Sequence, residues 1–193
     1  TLRSASGYKP YDGTPLTNSN VSAYGFVMGQ GADYDVTGSQ TDVGISENTF
    51  TYTLKNGAKA KNYIINVVYG KLEVAPCTDK VTVTITENSG SKMYDGVEMT
   101  VTGYTVSISN PLYTEADFTF SGEAVAKRTE VGKTNMGLAA SQFANTNPNF
   151  ATVTFNVTDG YQTITALSGI VVTITEHSGT ASYDGDEHTV TGY

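Results

Sequence analysis

Along this chain apolar and polar side chains alternate one by one far more often than they recur every three or four residues. Val81, Val83 and Ile85 alternate with Thr82, Thr84 and Thr86; Phe50, Tyr52 and Leu54 with Thr51 and Thr53; Val153, Phe155 and Val157 with Thr154, Asn156 and Thr158. A period of two sets every second side chain on one face of a pleat, so each run predicts a strand with one face on a core. Tyr63 to Tyr69 is apolar on both faces, which predicts a central strand. Met136 to Phe143 is Ala-rich and the nearest thing to a helical stretch, yet Met136, Leu138 and Ala140 alternate, so it too is read as a strand. Turns are marked by Asp12-Gly13, Asn56-Gly57, Asp95-Gly96, Asp159-Gly160 and Asp184-Gly185, where glycine takes positive φ cheaply and the Asx side chain bonds nearby backbone. Seven or eight short strands per unit predict an all-β chain of small antiparallel, immunoglobulin-like sandwiches without a Cys-Cys bridge. A β-grasp-like sheet is the alternative, and it requires a helix.

The same strand-and-turn pattern returns along the chain. VTITENSGSKMYDGVEMTVTGY at 83–104 recurs as VTITEHSGTASYDGDEHTVTGY at 172–193, and a weaker copy, SGYKPYDGTPLT, lies near residue 1. Tyr11-Asp12-Gly13, Tyr94-Asp95-Gly96 and Tyr183-Asp184-Gly185 are therefore equivalent. Between these openings, Asp42-Val43-Gly44 faces Glu130-Val131-Gly132, Asn62-Tyr63 faces Asn149-Phe150, and Gly70 faces Gly160. The spacings imply module one over residues 1–75 with its first strand incomplete, a linker at 76–79, module two over 80–165 and a second linker at 166–169. Residues 170–193 then open a third copy or supply a closing strand to module two. Linkers of about four residues restrain neighbours rather than tether them loosely.

Charge and composition narrow the chemistry. Lys and Arg number 11 against 19 Asp and Glu, a net charge of -8, with no basic stripe of the kind phosphate backbones require, so nucleic acid is not an expected partner. A single cysteine, Cys77, excludes an internal disulfide. No apolar run reaches the length of a membrane span, and no membrane insertion is expected of this segment, which reads as a monomer.

No residue set reads as catalytic, cofactor-binding or metal-binding. In Tyr-Asp-Gly the carboxylate has no His, Lys or second carboxylate fixed beside it in every copy; the expected role is Asp capping a turn while Tyr packs an edge of the core. His177 and His188 occur only in the third copy, and zinc needs three or four ligands. Asp33 with Asp35, Glu115 with Asp117, and Asp184 with Asp186 and Glu187 could offer oxygens to calcium, but none has a glycine-interrupted calcium loop. With 13 tyrosines and no tryptophan, Tyr24, Tyr34 and Tyr113, which lie near turns outside the repeat motif, are the candidate contacts for a glycan or a host surface protein. A Lys-Asn isopeptide cross-link is one way to strengthen a stalk without disulfides, with Lys9, Lys55, Lys92 and Lys133 among the amines and Asn62, Asn66, Asn149 and Asn156 on or beside strands; free solvated lysines are the expected state.

Together these runs resemble the YDG and MBG-type modules found in tandem in large bacterial surface and adhesin-like proteins. Module one carries the pattern as Tyr11-Asp12-Gly13-Thr14-Pro15-Leu16, Gly38 to Gly44, Asn62-Tyr63 with Ile65, and Gly70-Lys71-Leu72. Module two keeps Tyr94-Asp95-Gly96, Val101-Thr102-Gly103-Tyr104 and Gly122, with Glu130-Val131-Gly132 in the middle motif. The resemblance implies an extracellular, non-catalytic stalk or spacer on a bacterial cell surface, partnered by neighbouring modules of the same chain, without cofactors. An adhesive module binding a glycan or a host or matrix protein is the alternative.

Overall fold

Thr-rich alternation produces short strands and almost nothing else. In the computed structural model, which describes residues 1–193, the regular structure is strands plus three 3-10 turns of three residues each, with no α-helix. The first set of strands is β1 (Leu2–Ser4), β2 (Gly7–Pro10), β3 (Val21–Ala23), β4 (Gly31–Val36), β5 (Gly44–Asn48), β6 (Phe50–Lys55), β7 (Val67–Val68) and β8 (Gly70–Ala75). The second is β9 (Val81–Glu87), β10 (Gly90–Met93), β11 (Met99–Thr102), β12 (Tyr104–Ile108), β13 (Phe118–Phe120), β14 (Val125–Arg128), β15 (Gly132–Asn135), β16 (Phe143–Asn145), β17 (Val153–Thr158) and β18 (Tyr161–Thr165).

Named strands pair only within their own set. The orders are β3-β1-β7, β2-β8-β5 and β4-β6 in the first, and β12-β9-β17, β10-β18-β15, β13-β16 and β11-β14 in the second. Both sets close their first strand against their last in parallel, β1 on β7 and β2 on β8, β9 on β17 and β10 on β18, while every other pair is antiparallel. The sheets are thus small and mixed, and the second set repeats the first with one added ladder. Where β11 pairs β14 through Met99 and Arg128, the first set has a single bridge, Leu16 to Gln40.

At the corner where the first strand passes from one sheet to the next, the last strand crosses in close contact. A Cβ on Gly70 would run into the Ala5 carbonyl, and one on Gly160 into the Asn88 carbonyl, which is why both repeats carry glycine there. The corner is pinned by a side chain from the end of the first strand. Ser4 Oγ donates to the Asn48 carbonyl (2.6 Å) and accepts from Gly70 N–H (2.9 Å). In the second set Glu87, also buried, accepts Leu138 N–H (2.7 Å) and Gly160 N–H (2.8 Å) with its two oxygens.

The predicted alternation at Val81, Val83 and Ile85 is realised on β9, whose three apolar side chains are fully buried in a cluster with Tyr113, Phe118, Leu138, Phe143 and Phe150. In the first set Leu2, Phe50, Leu72 and Val74 are buried, and Tyr34 and Tyr69 meet the Phe50 ring edge-on at 5.9 and 5.6 Å.

Two expected strands are not there. Met136 to Phe143 is broken by Gly137 at φ +74; Leu138 N–H is taken by Glu87, and Ala140–Gln142 forms a 3-10 turn before β16 begins at Phe143. Tyr63 to Tyr69 is not one central strand, because a 3-10 turn over Ala60–Asn62 directs the Tyr63 hydroxyl to Gln30. Only Val67–Val68 joins a ladder, and it does so at a sheet edge. Residues 170–193 form no strand: β9 is held between β12 and β17, whereas Val172 and Ile174 have no such neighbours and stand exposed rather than packing on the second set.

Candidate functional site

The Tyr-Asp-Gly turns are built from one carboxylate oxygen each. Asp12 Oδ1 accepts the Thr14 N–H (2.9 Å), the Thr14 hydroxyl (2.7 Å) and the Lys9 ammonium (2.6 Å), while Lys9 also donates to the Thr14 carbonyl. Asp95 Oδ1 accepts the Val97 N–H (2.9 Å) and the Lys92 ammonium (2.7 Å), and Lys92 donates to the Val97 carbonyl. In the third copy Ala181 stands where Lys is expected. His188 takes over, its Nε2 2.9 Å from Asp184 Oδ1, which also accepts the Asp186 N–H (3.0 Å). Hydrogen bonds favour the ionised form. Asp12 and Asp95 are held below the ordinary aspartate value chiefly by their lysines, and Asp184 chiefly by the Asp186 N–H and then by His188. These carboxylates are committed to their turns.

The tyrosine of the first turn packs across the boundary between the two strand sets. Tyr11 meets Phe150 edge-on at 5.6 Å, and Phe150 in turn meets Tyr113 at 5.1 Å. Beside it, the nearly buried Asn149 spans the boundary: its Oδ1 accepts the Val43 N–H (2.7 Å) and its Nδ2 donates to Asp42 Oδ1 (2.9 Å). The linker joins in. Cys77 N–H donates to the Asn149 carbonyl (2.8 Å), Ala151 N–H to the Cys77 carbonyl (3.2 Å), and the Cys77 side chain is buried in the same cluster as Phe150. Leu112 completes the contact, its Cδ2 lying 3.1 Å from where a Cβ on Gly13 would be.

What presents the Val43 N–H outward is the middle motif. Gln40 Nε2 donates to the Asp42 carbonyl (2.8 Å) from inside the loop, and Gly44 follows at φ +148, a region open in practice to glycine. In the second set Arg128 does Gln40's work, Nε to the Glu130 carbonyl (2.7 Å) and Nη2 to the Val131 carbonyl (2.8 Å), with Gly132 at φ +138. The repeated acidic-Val-Gly motif is thus a loop whose carbonyls are satisfied internally and whose valine N–H points away.

The three tyrosines singled out for ligand contact do not come together. Tyr113 is inside the second core, 2% exposed, with its hydroxyl donating to the Asp117 carbonyl (2.9 Å) and lying 3.0 Å from Asn145 Oδ1, so it presents no face to a ligand. Burial, and secondarily the Asp117 charge, pushes its phenol up to about 12. Tyr34 is half-buried against Phe50. Tyr24 alone is well exposed, beside a hollow of about 130 Å³ that Phe26, Tyr63 and Ile64 also line. That volume is under the roughly 300 Å³ at which small-molecule pockets begin.

The amines considered for a cross-link have other partners. Lys9 and Lys92 sit in the turns, Lys55 pairs with Asp33, and Lys133 lies 3.8 Å from the centre of the Tyr161 ring. Asp117 is engaged by Thr114 and Asn147, and no group of three His, Cys, Asp or Glu side chains is placed to hold a metal. No helix is long and apolar enough to cross a membrane. No protein-family model, curated protein or solved structure matches the chain.

Sequence reading brought out the turn and the two recurring motifs but missed what they do together. The signal was present: Asp42-Val43-Gly44 and Asn149-Phe150 recur in matched order, and only pairing a motif of one repeat with a motif of the next joins them. Lys9 and Lys92, each three residues before the turn Asp, were readable as its partners.

Proposed function

We propose that this chain is a non-catalytic structural spacer, built of tandem immunoglobulin-like sandwich modules over residues 1–75 and 80–165, and that it belongs to a stalk on a bacterial cell surface that holds another domain away from the cell. The observation that carries the reading is the joint. A side chain of the second module reads the backbone of the first through Asn149, Tyr11 and Phe150 interlock, and the linker is a strand-like bridge rather than a free tether. The extent of surface supports an extended chain: 12382 Å² is accessible, against about 8,900 Å² for a compact protein of this mass, with residues 166–193 contributing part of the excess. The motif carboxylates favour a structural role, since each is tied to its own turn. The location at a bacterial surface follows from the resemblance of the repeat motifs.

Residual dipolar couplings test the rigidity on which a spacer depends. Couplings from β1–β8 and β9–β18 should fit one alignment tensor. Two tensors of different magnitude would mean independent tumbling and would defeat the reading. Should an adhesive role hold instead, binding to a glycan or matrix protein would be lost on Tyr24→Ala, the exposed ring beside the hollow.

A further inference from the structure

The joint uses one motif from each side, and both motifs occur twice. In module one, the seat consists of Tyr11, the Val43 N–H and Asp42, and it is filled by Asn149 and Phe150 of module two. In module two the same seat is built and empty. Arg128 satisfies the loop carbonyls as Gln40 does, but the Val131 N–H has no acceptor, and Val131 is 50% exposed. A Cβ on Gly96 would meet nothing within 4 Å, where one on Gly13 meets Leu112. Leu167, which follows Thr165 as Cys77 follows Ala75, is 45% exposed, whereas Cys77 is buried.

The other half of the joint stands free at the opposite end. Tyr63 meets Phe26 edge-on at 5.2 Å, as Phe150 meets Tyr113 at 5.1 Å, but no Tyr-Asp-Gly tyrosine and no linker lies over it; the hollow bordered by Tyr24 and Ile64 is there instead. A buried joint within the chain, an unfilled seat at one end and an unfilled plug at the other describe a contact that repeats by translation.

We infer that the seat formed by Tyr94, Glu130 and Val131 is the docking site for the Asn-aromatic loop of a further module of this same repeat, the one that follows along the chain from residue 170. The inference rests on the spacer reading and adds how its units lock: each module reads the Val N–H of the one before it with an asparagine amide, and covers its Tyr-Asp-Gly tyrosine with an aromatic ring. Continuity selects this occupant. The linker at 166–169 emerges beside the seat, and a covalently attached module meets it at high effective concentration. Glu130, one methylene longer than Asp42, is the acceptor for the amide Nδ2.

The test extends the chain. Because Tyr193 matches Tyr104 in the repeat, residues 105–165 are appended after Tyr193, and amide hydrogen exchange is followed residue by residue in the 193-residue and the extended chains. In the 193-residue chain Val43 should exchange slowly and Val131 fast. In the extended chain Val131 should slow by at least about tenfold, and the Asn149→Ala change made in the appended copy alone should return it to the fast rate while the appended core stays protected. A Val131 amide that stays fast beside a folded appended module would overturn the inference. So would protection of Val131 in the unextended chain that grows with protein concentration, since that would put a second copy in the seat. If the hybrid module does not fold, residues 1–165 followed by a second copy of 76–165 supply an authentic module in the same register. Scattering from the same samples separates the two claims: an elongated particle with a fast Val131 removes this joint and leaves the spacer, whereas a compact particle removes the spacer itself.

Discussion

Gln162 and Leu72 occupy the same place in the two modules, paired with Gly90 and Gly7 respectively, and both are fully buried. Leu72 contributes apolar burial, whereas neither the oxygen nor the nitrogen of the Gln162 amide has a partner. An unsatisfied buried amide costs about 1–3 kcal/mol. Gln162→Leu should therefore raise the stability of module two by that order in urea unfolding; a midpoint that falls would show that the amide is satisfied in solution. Glu87 is the opposite case. Glu87→Ala strands the N–H groups of Leu138 and Gly160 in the interior and should cost about 2–4 kcal/mol, with Glu87→Gln intermediate because one acceptor remains. The turn carboxylates respond to pH. A carboxyl depressed on folding adds stability that is present above its unfolded-state value, about 3.9, and is lost as pH falls through the folded value. Carbon-13 titration should thus find Asp12 and Asp95 protonating below the ordinary range, with Lys9→Met shifting Asp12 back towards it; unshifted titration would mean that the lysine clasps do not persist in solution. The turn was legible in sequence because Asp, Gly and the capped N–H lie within three residues. Tyr113 was not, since proximity to Asn110-Pro111 says nothing about which way a ring points, and this one turns inward onto Phe150 and Phe118.

Strands behave as their alternation predicts when both their faces are decided locally. β9 is the clearest case, with its valines and isoleucine inside and its threonines half-buried or exposed. Met136 to Phe143 shows the limit, because its break depends on a carboxylate from Glu87, 51 positions earlier in sequence, capturing the Leu138 N–H. Tyr63 to Tyr69 reads as apolar on both faces because its apolar side chains serve a turn and a module end rather than a sheet interior; Ile64 is 93% exposed. Between elements, the joint makes its own prediction. Asn149→Ala removes both hydrogen bonds to the middle motif of module one, so Val43 should exchange faster while core amides of β8 and β9 remain protected. Unchanged Val43 exchange would mean that the two modules are not coupled through this loop.

At the scale of the whole molecule, repetition was the most legible feature and the spatial relation between repeats the least. Matching motifs give the number and order of units, but the joint brings together Asp42 and Asn149, 107 residues apart, pairing the middle motif of one repeat with the Asn-aromatic motif of the next, which neither motif shows when read alone. Two modules locked end to end as a spacer make an elongated particle, which small-angle scattering of the 193-residue chain in solution measures. Two units of about 12 Å radius of gyration set end to end give about 20 Å or more, whereas one compact globule of this length gives roughly 16 Å. A locked pair gives a monomer with the larger value and an elongated distance distribution; a monomer near roughly 16 Å would mean that the modules fold back on each other and are no spacer.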